Sequence, residues 1–222
     1  MIVAEQKPIE QLMAMIEPYE KVLVAGCATC VTVCSTGGEK EVGILASALR
    51  LACAARGWNK TFGEVTLTRQ CDPEFIEPIK DLAAQHNAVV SLACGVGINF
   101  MAERLPVMPV FPGVNTAFIG ANPELGVWEE RCALCGECIL DKTGGICPIA
   151  RCAKTILNGP CGGSNKGKCE ISPDTPCGWL LIVDRMKALG MLDKLTEVIP
   201  PKNWSKSRDG GPRKMIREDL KI

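Results

Sequence analysis

The chain has few of the residues on which many enzyme classes depend. Its 222 residues include one histidine and one tyrosine, and only 5% of the residues are aromatic. The single histidine, His86, stands just before an apolar run, where a role at a helix end is more common than catalysis. No nucleophile and base occur at a recognisable spacing. The sequence therefore predicts no catalytic residue of its own.

An excess of charge of either sign is also absent. The 25 Lys and Arg residues balance the 25 Asp and Glu residues, which leaves no positive field for a nucleic-acid backbone or an anionic membrane. No stretch approaches 18 uncharged apolar residues, and the start carries Glu5, Glu10 and Glu17 instead of a basic segment followed by an apolar run. We expect a cytoplasmic protein with no nucleic-acid partner and no membrane insertion.

Cysteine, by contrast, is abundant, with 14 residues. Thiols stay reduced in the cytoplasm, so this density indicates metal or redox chemistry more than disulfides. Six cysteines lie between Cys27 and Cys94, and eight lie between Cys132 and Cys177. The gap predicts two modules, residues 1–125 and residues 126–200, followed by an exposed C-terminal arm, residues 201–222.

The first module alternates short apolar runs with helical patterns. Strands are predicted at 21–26, 64–68, 88–93, 107–111 and 114–119. Thr36 and Glu39 have capping-box spacing and predict a helix over 38–56, and Asp72-Pro73 opens a second helix. Strands alternating with helices favour an α/β fold with an open parallel sheet of Rossmann or flavodoxin type.

The second module loses this periodicity. From Trp128 to about Trp179, glycine, proline and cysteine dominate, and the segment has too few periodic apolar residues to build its own core. We therefore expect a metal-bound module with little regular structure. Helical spacing returns over 184–198.

Five cysteines of the first module follow predicted strands: Cys27, Cys30, Cys34, Cys71 and Cys94. Ligands of an open parallel sheet bind beyond the carboxyl ends of its strands, so these thiolates could hold a [4Fe-4S] cluster there. Five thiols compete for four places, and one of Cys71 and Cys94, or else Cys30, is left over. A redox pair or inert cysteines are the alternatives. Cys53 lies on an apolar helical face and is predicted to be part of the core.

The second module contains the pattern Cys132-x2-Cys135-x2-Cys138-x8-Cys147-Pro148. Bacterial ferredoxins use C-x2-C-x2-C-x3-C-P, in which three closely spaced thiolates bind one cluster. The longer last gap leaves the role of Cys147 open. The remaining cysteines could supply a missing cluster ligand or form a four-thiolate zinc site: Cys152, Cys161, Cys169 and Cys177.

Several blocks of this chain in combination resemble a known family: GCATCVTVCSTGGEKEVG, RQCDPEF, SLACG, ERCALCGECILDKTGGICP, RCAKTILNGPCGGSNKGKCE and PDTPCGWLLI. They are similar to the MetV-type small subunit of methylenetetrahydrofolate reductase, and the latter part resembles the methylenetetrahydrofolate reductase C-terminal domain family. The resemblance extends to about Trp204.

This resemblance implies a partner, a TIM-barrel subunit that carries FMN and binds the folate. The chain would be a non-catalytic electron-transfer subunit that relays electrons through two [4Fe-4S] clusters to that FMN. The complex would reduce methylenetetrahydrofolate to methyltetrahydrofolate in the carbon-fixing Wood-Ljungdahl pathway of acetogens. Ferredoxin or another redox subunit would donate the electrons. A zinc-stabilised anchoring module without redox activity and a thiol enzyme with a reactive cysteine pair are the competing interpretations.

Overall fold

The structure, a computed structural model, describes residues 1–220. It divides into two compact units, of which the first is Met1–Trp128 and the second begins at Glu129. Among the described residues, no helix is both long enough and apolar enough to cross a membrane.

A four-stranded parallel sheet forms the centre of the first unit. Its strands are β2 (Lys21–Cys27), β3 (Thr61–Leu67), β4 (Ala88–Ser91) and β5 (Val110–Pro112). The order is β3-β2-β4-β5, with every pairing parallel. This confirms the predicted open parallel sheet, and an order in which the first strand lies between the second and the third is that of flavodoxin-type folds.

Apolar residues cover both faces of this sheet. Every residue of β2 after Lys21 is buried. Because successive side chains of a strand point to opposite faces, this continuous burial means that both faces of the sheet are covered. Val24 packs with Leu49 in one apolar cluster, and Leu23 packs with Met101 in another. The uninterrupted apolar run predicted a strand that is buried on both faces, and the structure confirms it.

The helices of the first unit are α1 (Ile9–Ile16), α2 (Cys30–Val33), α3 (Glu39–Ala55), α4 (Pro73–Ile76), α5 (Lys80–Ala83) and α6 (Gly95–Arg104). The predicted helix over 38–56 is confirmed as α3, but the capping residue is not Thr36. Gly38 is the N-cap and donates its backbone N–H to the Glu41 carboxylate at 3.0 Å. The Thr36 hydroxyl is engaged instead with the Val31 carbonyl, at 3.3 Å, and the Cys34 thiol, at 3.1 Å.

One strand of the first unit was missed, and another belongs to a different sheet. Strand β1 (Ile2–Gln6) pairs antiparallel with β6 (Val114–Glu124). The predicted strand at 114–119 therefore exists but lies outside the parallel sheet. The alternation of β1 is short and ends in Glu5 and Gln6, so its pattern is weak without the partner strand.

From Val127 on, the elements are short. They are β7 (Val127–Cys132), α7 (Pro148–Arg151), β8 (Lys168–Cys169), β9 (Ser172–Pro176) and α8 (Gly178–Ala188), with 3-10 turns at Leu140–Lys142, Leu192–Thr196, Trp204–Lys206, Arg208–Gly210 and Glu218–Leu220. The helix predicted over 184–198 is wrong in its bounds, because α8 begins earlier and ends before Gly190, which has a φ of +66°. Only glycine adopts that conformation readily.

The second unit also has a small apolar core, which the sequence did not predict. Trp179, Ile182 and Met186 of α8 are buried together with Cys177. The predicted exposed arm is likewise corrected at two positions, since Lys202 and Ser207 are 7% and 5% exposed. Both residues form hydrogen bonds within the unit.

Candidate thiolate metal centres

Three cysteines lie at the carboxyl edge of the parallel sheet. Cys27 is the last residue of β2, Cys71 follows β3, and Cys94 follows β4 as the N-cap residue of α6. The junction of β2 and β4 is the switch point at which open α/β sheets bind ligands. Burial raises the pKa of the Cys71 thiol, and the nearby Cys27 and then Cys94 thiolates raise it further. The three cysteines therefore lie at or just after the ends of three adjacent strands of one sheet.

A buried amide connects the strand ends that carry these cysteines. Gln70, which is fully buried, donates from Nε2 to the carbonyl oxygens of Ala25, at 3.1 Å, and Gly26, at 2.9 Å. Its Oε1 accepts the hydroxyl of buried Ser91 at 2.6 Å, and the Ser91 oxygen accepts the Ala93 N–H at 3.2 Å. The network therefore joins the ends of β2 and β4 to the loop after β3.

Each of the three cysteines immediately follows a member of this network. Cys27 follows Gly26, Cys71 follows Gln70, and Cys94 follows Ala93. The network fixes the backbone from which each thiol projects, since every buried polar atom of Gln70 has a partner. Sequence reasoning missed Gln70 and Ser91, because a polar residue beside a cysteine shows no pattern that indicates burial. The position of Gln70 just after a predicted strand was the available signal.

The other two predicted ligands of the first unit have different surroundings. Cys30 begins α2 and is half-buried. Cys34 is buried, and its Sγ lies 3.6 Å from the Val31 carbonyl oxygen and 3.9 Å from that of Ala4. Which of the five cysteines are metal ligands stays a prediction.

Cys53 is a core residue, as predicted. It is 1% exposed, and its Sγ lies 3.7 Å from the Met13 sulfur. Burial raises the pKa of the Cys53 thiol, which disfavours the thiolate that a metal requires.

In the second unit, four cysteines line one cavity of about 310 Å³. They are the four of the ferredoxin-like pattern: Cys132, Cys135, Cys138 and Cys147. Leu134 and Gly136 adopt positive φ values of +52° and +78°, which fold the loop between the first three thiols back on itself. The structure thus brings Cys147 to the same space as the other three cysteines despite the longer gap in sequence.

Backbone groups contact three of these thiols. The Leu134 N–H donates to Cys132 Sγ at 3.4 Å, and the Ala150 N–H donates to Cys147 Sγ at 3.5 Å. The Cys135 thiol lies 3.6 Å from the Glu137 carbonyl oxygen. N–H donors stabilise a thiolate, and hydrogen bonds to the sulfurs tune the potential of thiolate-bound clusters.

The remaining cysteines of the second unit are Cys152, Cys161, Cys169 and Cys177. Cys161 and Cys177 line one cavity of about 200 Å³, and Cys152 packs against the apolar cluster that contains Cys177. Cys169 ends β8. The Gly163 N–H, at 3.4 Å from the sulfur, and then the charge of Lys154 lower the pKa of the Cys161 thiol.

Lys154 also links two of these positions. Its ammonium lies 3.9 Å from Cys161 Sγ and forms an ion pair with Glu170, the residue after Cys169. These contacts connect Cys161 to the residue that follows Cys169.

The donor chemistry fits thiophilic metal centres. All 14 cysteines are free thiols, and thiolates are the ligands of iron–sulfur clusters and of four-thiolate zinc sites. Within residues 1–220, no three Cys, His, Asp or Glu side chains already lie close enough together to hold a metal ion. The four thiols at the 310 Å³ cavity share one space, and binding would require their side chains to turn toward a common centre.

The comparisons with known proteins agree with the motifs of the second unit. Residues 111–205 match the family model described as methylene-tetrahydrofolate reductase C terminal. The searches of the curated proteins and of the solved structures each found no match. The matched segment contains all eight cysteines from Cys132 to Cys177. Over these residues, the predicted resemblance to the methylenetetrahydrofolate reductase C-terminal family is confirmed.

Proposed function

We propose that the chain is the electron-transfer subunit of a methylenetetrahydrofolate reductase complex. It relays electrons through [4Fe-4S] clusters to the FMN of a TIM-barrel catalytic subunit, which reduces methylenetetrahydrofolate to methyltetrahydrofolate. The observation that carries the proposal is the cavity of about 310 Å³ that all four cysteines of the ferredoxin-like pattern line. The family match over residues 111–205 supplies the link to methylenetetrahydrofolate reductase.

Within this proposal, Cys132, Cys135, Cys138 and Cys147 hold one cluster. A bound [4Fe-4S] cluster accepts and releases one electron at a time. The Leu134 and Ala150 N–H groups stabilise the negative charge on Cys132 and Cys147. Leu134, Ile139 and Ile149 also line the cavity and supply apolar surface around the thiolates.

The second cluster belongs to the carboxyl edge of the parallel sheet. Cys27, Cys71 and Cys94 supply thiolates there, with Cys30 or Cys34 as the fourth candidate. The Gln70 network is the support for this assignment, because it fixes the strand ends beside the three thiols.

The other four cysteines form a third candidate group: Cys152, Cys161, Cys169 and Cys177. We propose that they hold zinc or supply a further cluster ligand. The lowered pKa of the Cys161 thiol favours metal binding, since the thiolate is the ligand form.

The partners in this proposal are the flavin-containing barrel subunit and an electron donor, either ferredoxin or another redox subunit. The reaction would serve one-carbon metabolism in the cytoplasm, in the methyl branch that acetogens use for carbon fixation. The FMN belongs to the barrel subunit, and the chemistry on the folate is performed there.

Metal analysis of the anaerobically purified chain tests the proposal. We expect a brown protein that contains iron and acid-labile sulfide, and substitution C135A should remove the iron of one cluster because a missing thiolate leaves an iron atom without its ligand. The matched control is C53A, which removes a thiol from the core. A colourless protein that contains zinc alone would reject the electron relay and favour an anchoring module.

A further inference from the structure

The residues 202–213, named here the C-terminal clasp, contact the loop that carries Cys132, Cys135 and Cys138. The Lys202 side chain is only 2% exposed. Its ammonium donates to the main-chain oxygen of Glu137 and lies 3.9 Å from the Glu137 carboxylate. A buried ammonium is strongly destabilising unless it is paired, so Lys202 and the Glu137 region hold each other in place.

Two further groups of the C-terminal clasp bind the same carboxylate. The Asn203 N–H donates to one Glu137 oxygen at 3.1 Å, and the Lys206 ammonium lies 3.3 Å from the other. At Gly136, an added Cβ would overlap the Lys206 carbonyl oxygen. The clasp therefore lies directly on the backbone between Cys135 and Cys138, and only glycine leaves room for it there.

Arg213 extends the clasp to the cavity itself. Its Nη1 donates to the carbonyl oxygens of Leu134, at 2.9 Å, and Lys206, at 3.1 Å. Arg213 lines the cavity that the four cysteines share. Across the described part of the chain, no carboxylate lies within 4.0 Å of its guanidinium. It stands eight residues beyond the end of the family match at residue 205.

We propose that the C-terminal clasp is a structural part of the four-cysteine site. Lys202 and Arg213 are positioning residues that hold the loop 132–138 against the clasp, and Arg213 places at the cavity a positive charge that no carboxylate pairs within the described residues. The second role rests on the proposed function, since it requires an anionic thiolate-bound centre. A cation beside such a centre favours its more negative, reduced form, and it thereby raises the reduction potential.

Hydrogen exchange of the purified full chain tests the mechanical role. Substitution K202M should make the amides of residues 132–138 exchange roughly tenfold faster, the factor expected from loss of a hydrogen bond to a charged group. The matched control is K214M, which makes the same chemical change at an exposed lysine of the same C-terminal region. Both variants are measured as isolated and after chelation, so that loss of metal cannot imitate loss of the clasp. Equal exchange rates in the two variants would overturn the proposal that Lys202 holds residues 132–138 in place.

The midpoint potential of the bound cluster tests the role of the charge. R213A should lower the potential, whereas R213K, which keeps the charge, should restore most of it. The control R208A removes a neighbouring exposed arginine that does not line the cavity and should leave the potential unchanged. Equal potentials in R213A and R208A would overturn the charge role. A chain without iron would reject the proposed function and the charge role together. Hydrogen exchange would then still test whether the clasp positions the loop 132–138.

Discussion

A single buried side chain, Gln70, joins the ends of β2 and β4 to the loop after β3, beside Cys27, Cys71 and Cys94. Substitution Q70L should remove its three hydrogen bonds and leave the buried Ser91 hydroxyl without its acceptor. Each unsatisfied buried group costs about 1–3 kcal/mol, so the free energy of unfolding should fall by about 2 kcal/mol or more. Chemical denaturation measures this change, and the iron content of the first unit should fall with it.

The control for Gln70 is the exposed Gln85. Its amide donates one bond, to the Asp81 carbonyl at 3.3 Å. Q85L makes the same chemical change in contact with solvent and should shift stability by no more than about 0.5 kcal/mol. If Q70L and Q85L were equally stable and bound equal amounts of iron, the network would have no positioning role.

The cysteines of the first unit differ in what their loss should do. C71A removes a thiol at the carboxyl edge of the sheet, beside Cys27 and Cys94, and should abolish one cluster. C53A removes a thiol from the core beside Met13 and should leave the metal unchanged while it lowers stability slightly. Iron and sulfide analysis of both variants distinguishes these outcomes, and equal loss of iron would contradict the assignment of Cys71.

Among the elements, those with an uninterrupted or periodic apolar pattern were predictable. The continuous apolar run of β2 and the helical apolar spacing of α3 were both visible in the sequence. Burial on both faces of a strand, or on one stripe of a helix, requires apolar residues at a regular local spacing. The N-cap of α3 was not predicted correctly, because the Thr36 hydroxyl donates to the Val31 carbonyl instead of capping the helix. Strand β1 and the start of α8 also depend on partners distant in sequence.

In the candidate sites too, features that depend on local sequence were predictable and features that depend on distant contacts were not. Spacing alone predicted Cys132, Cys135 and Cys138 as one group, because a thiolate loop requires close neighbours in sequence. The place of Cys147 at the same cavity became clear only from the fold. Gln70 and Lys202 were not identified, because each is a polar residue whose burial depends on contacts more than 40 residues away.

We expect the segment from Glu129 to Gly178 to depend on bound metal for its fold. Its helices and strands are short, and the core of the second unit centres on α8. If metal replaces apolar burial there, chelation should make residues 129–178 sensitive to protease while residues 1–128 stay resistant. Limited proteolysis with mass spectrometry measures this, and full resistance of the metal-free segment would show that its fold does not require metal.

At the scale of the whole molecule, four cysteines line one cavity, three more lie at one edge of the parallel sheet, and the sequence shows no recognisable acid-base pair. Electron delivery should therefore depend on this chain, and the chemistry on the folate should not. The barrel subunit supplied with a small artificial donor should retain turnover without the chain. With reduced ferredoxin as the donor, turnover should require it.

The rate at which reduced ferredoxin reduces the FMN of the assembled complex tests the central claim most directly. In a complex that contains C135A, this rate should fall by at least about tenfold, whereas reduction by the artificial donor should be unchanged. Gel filtration must show that the variant still assembles, since loss of a cluster could also disrupt the docking surface. Normal ferredoxin-driven reduction of the FMN in a correctly assembled complex without clusters would contradict the electron relay.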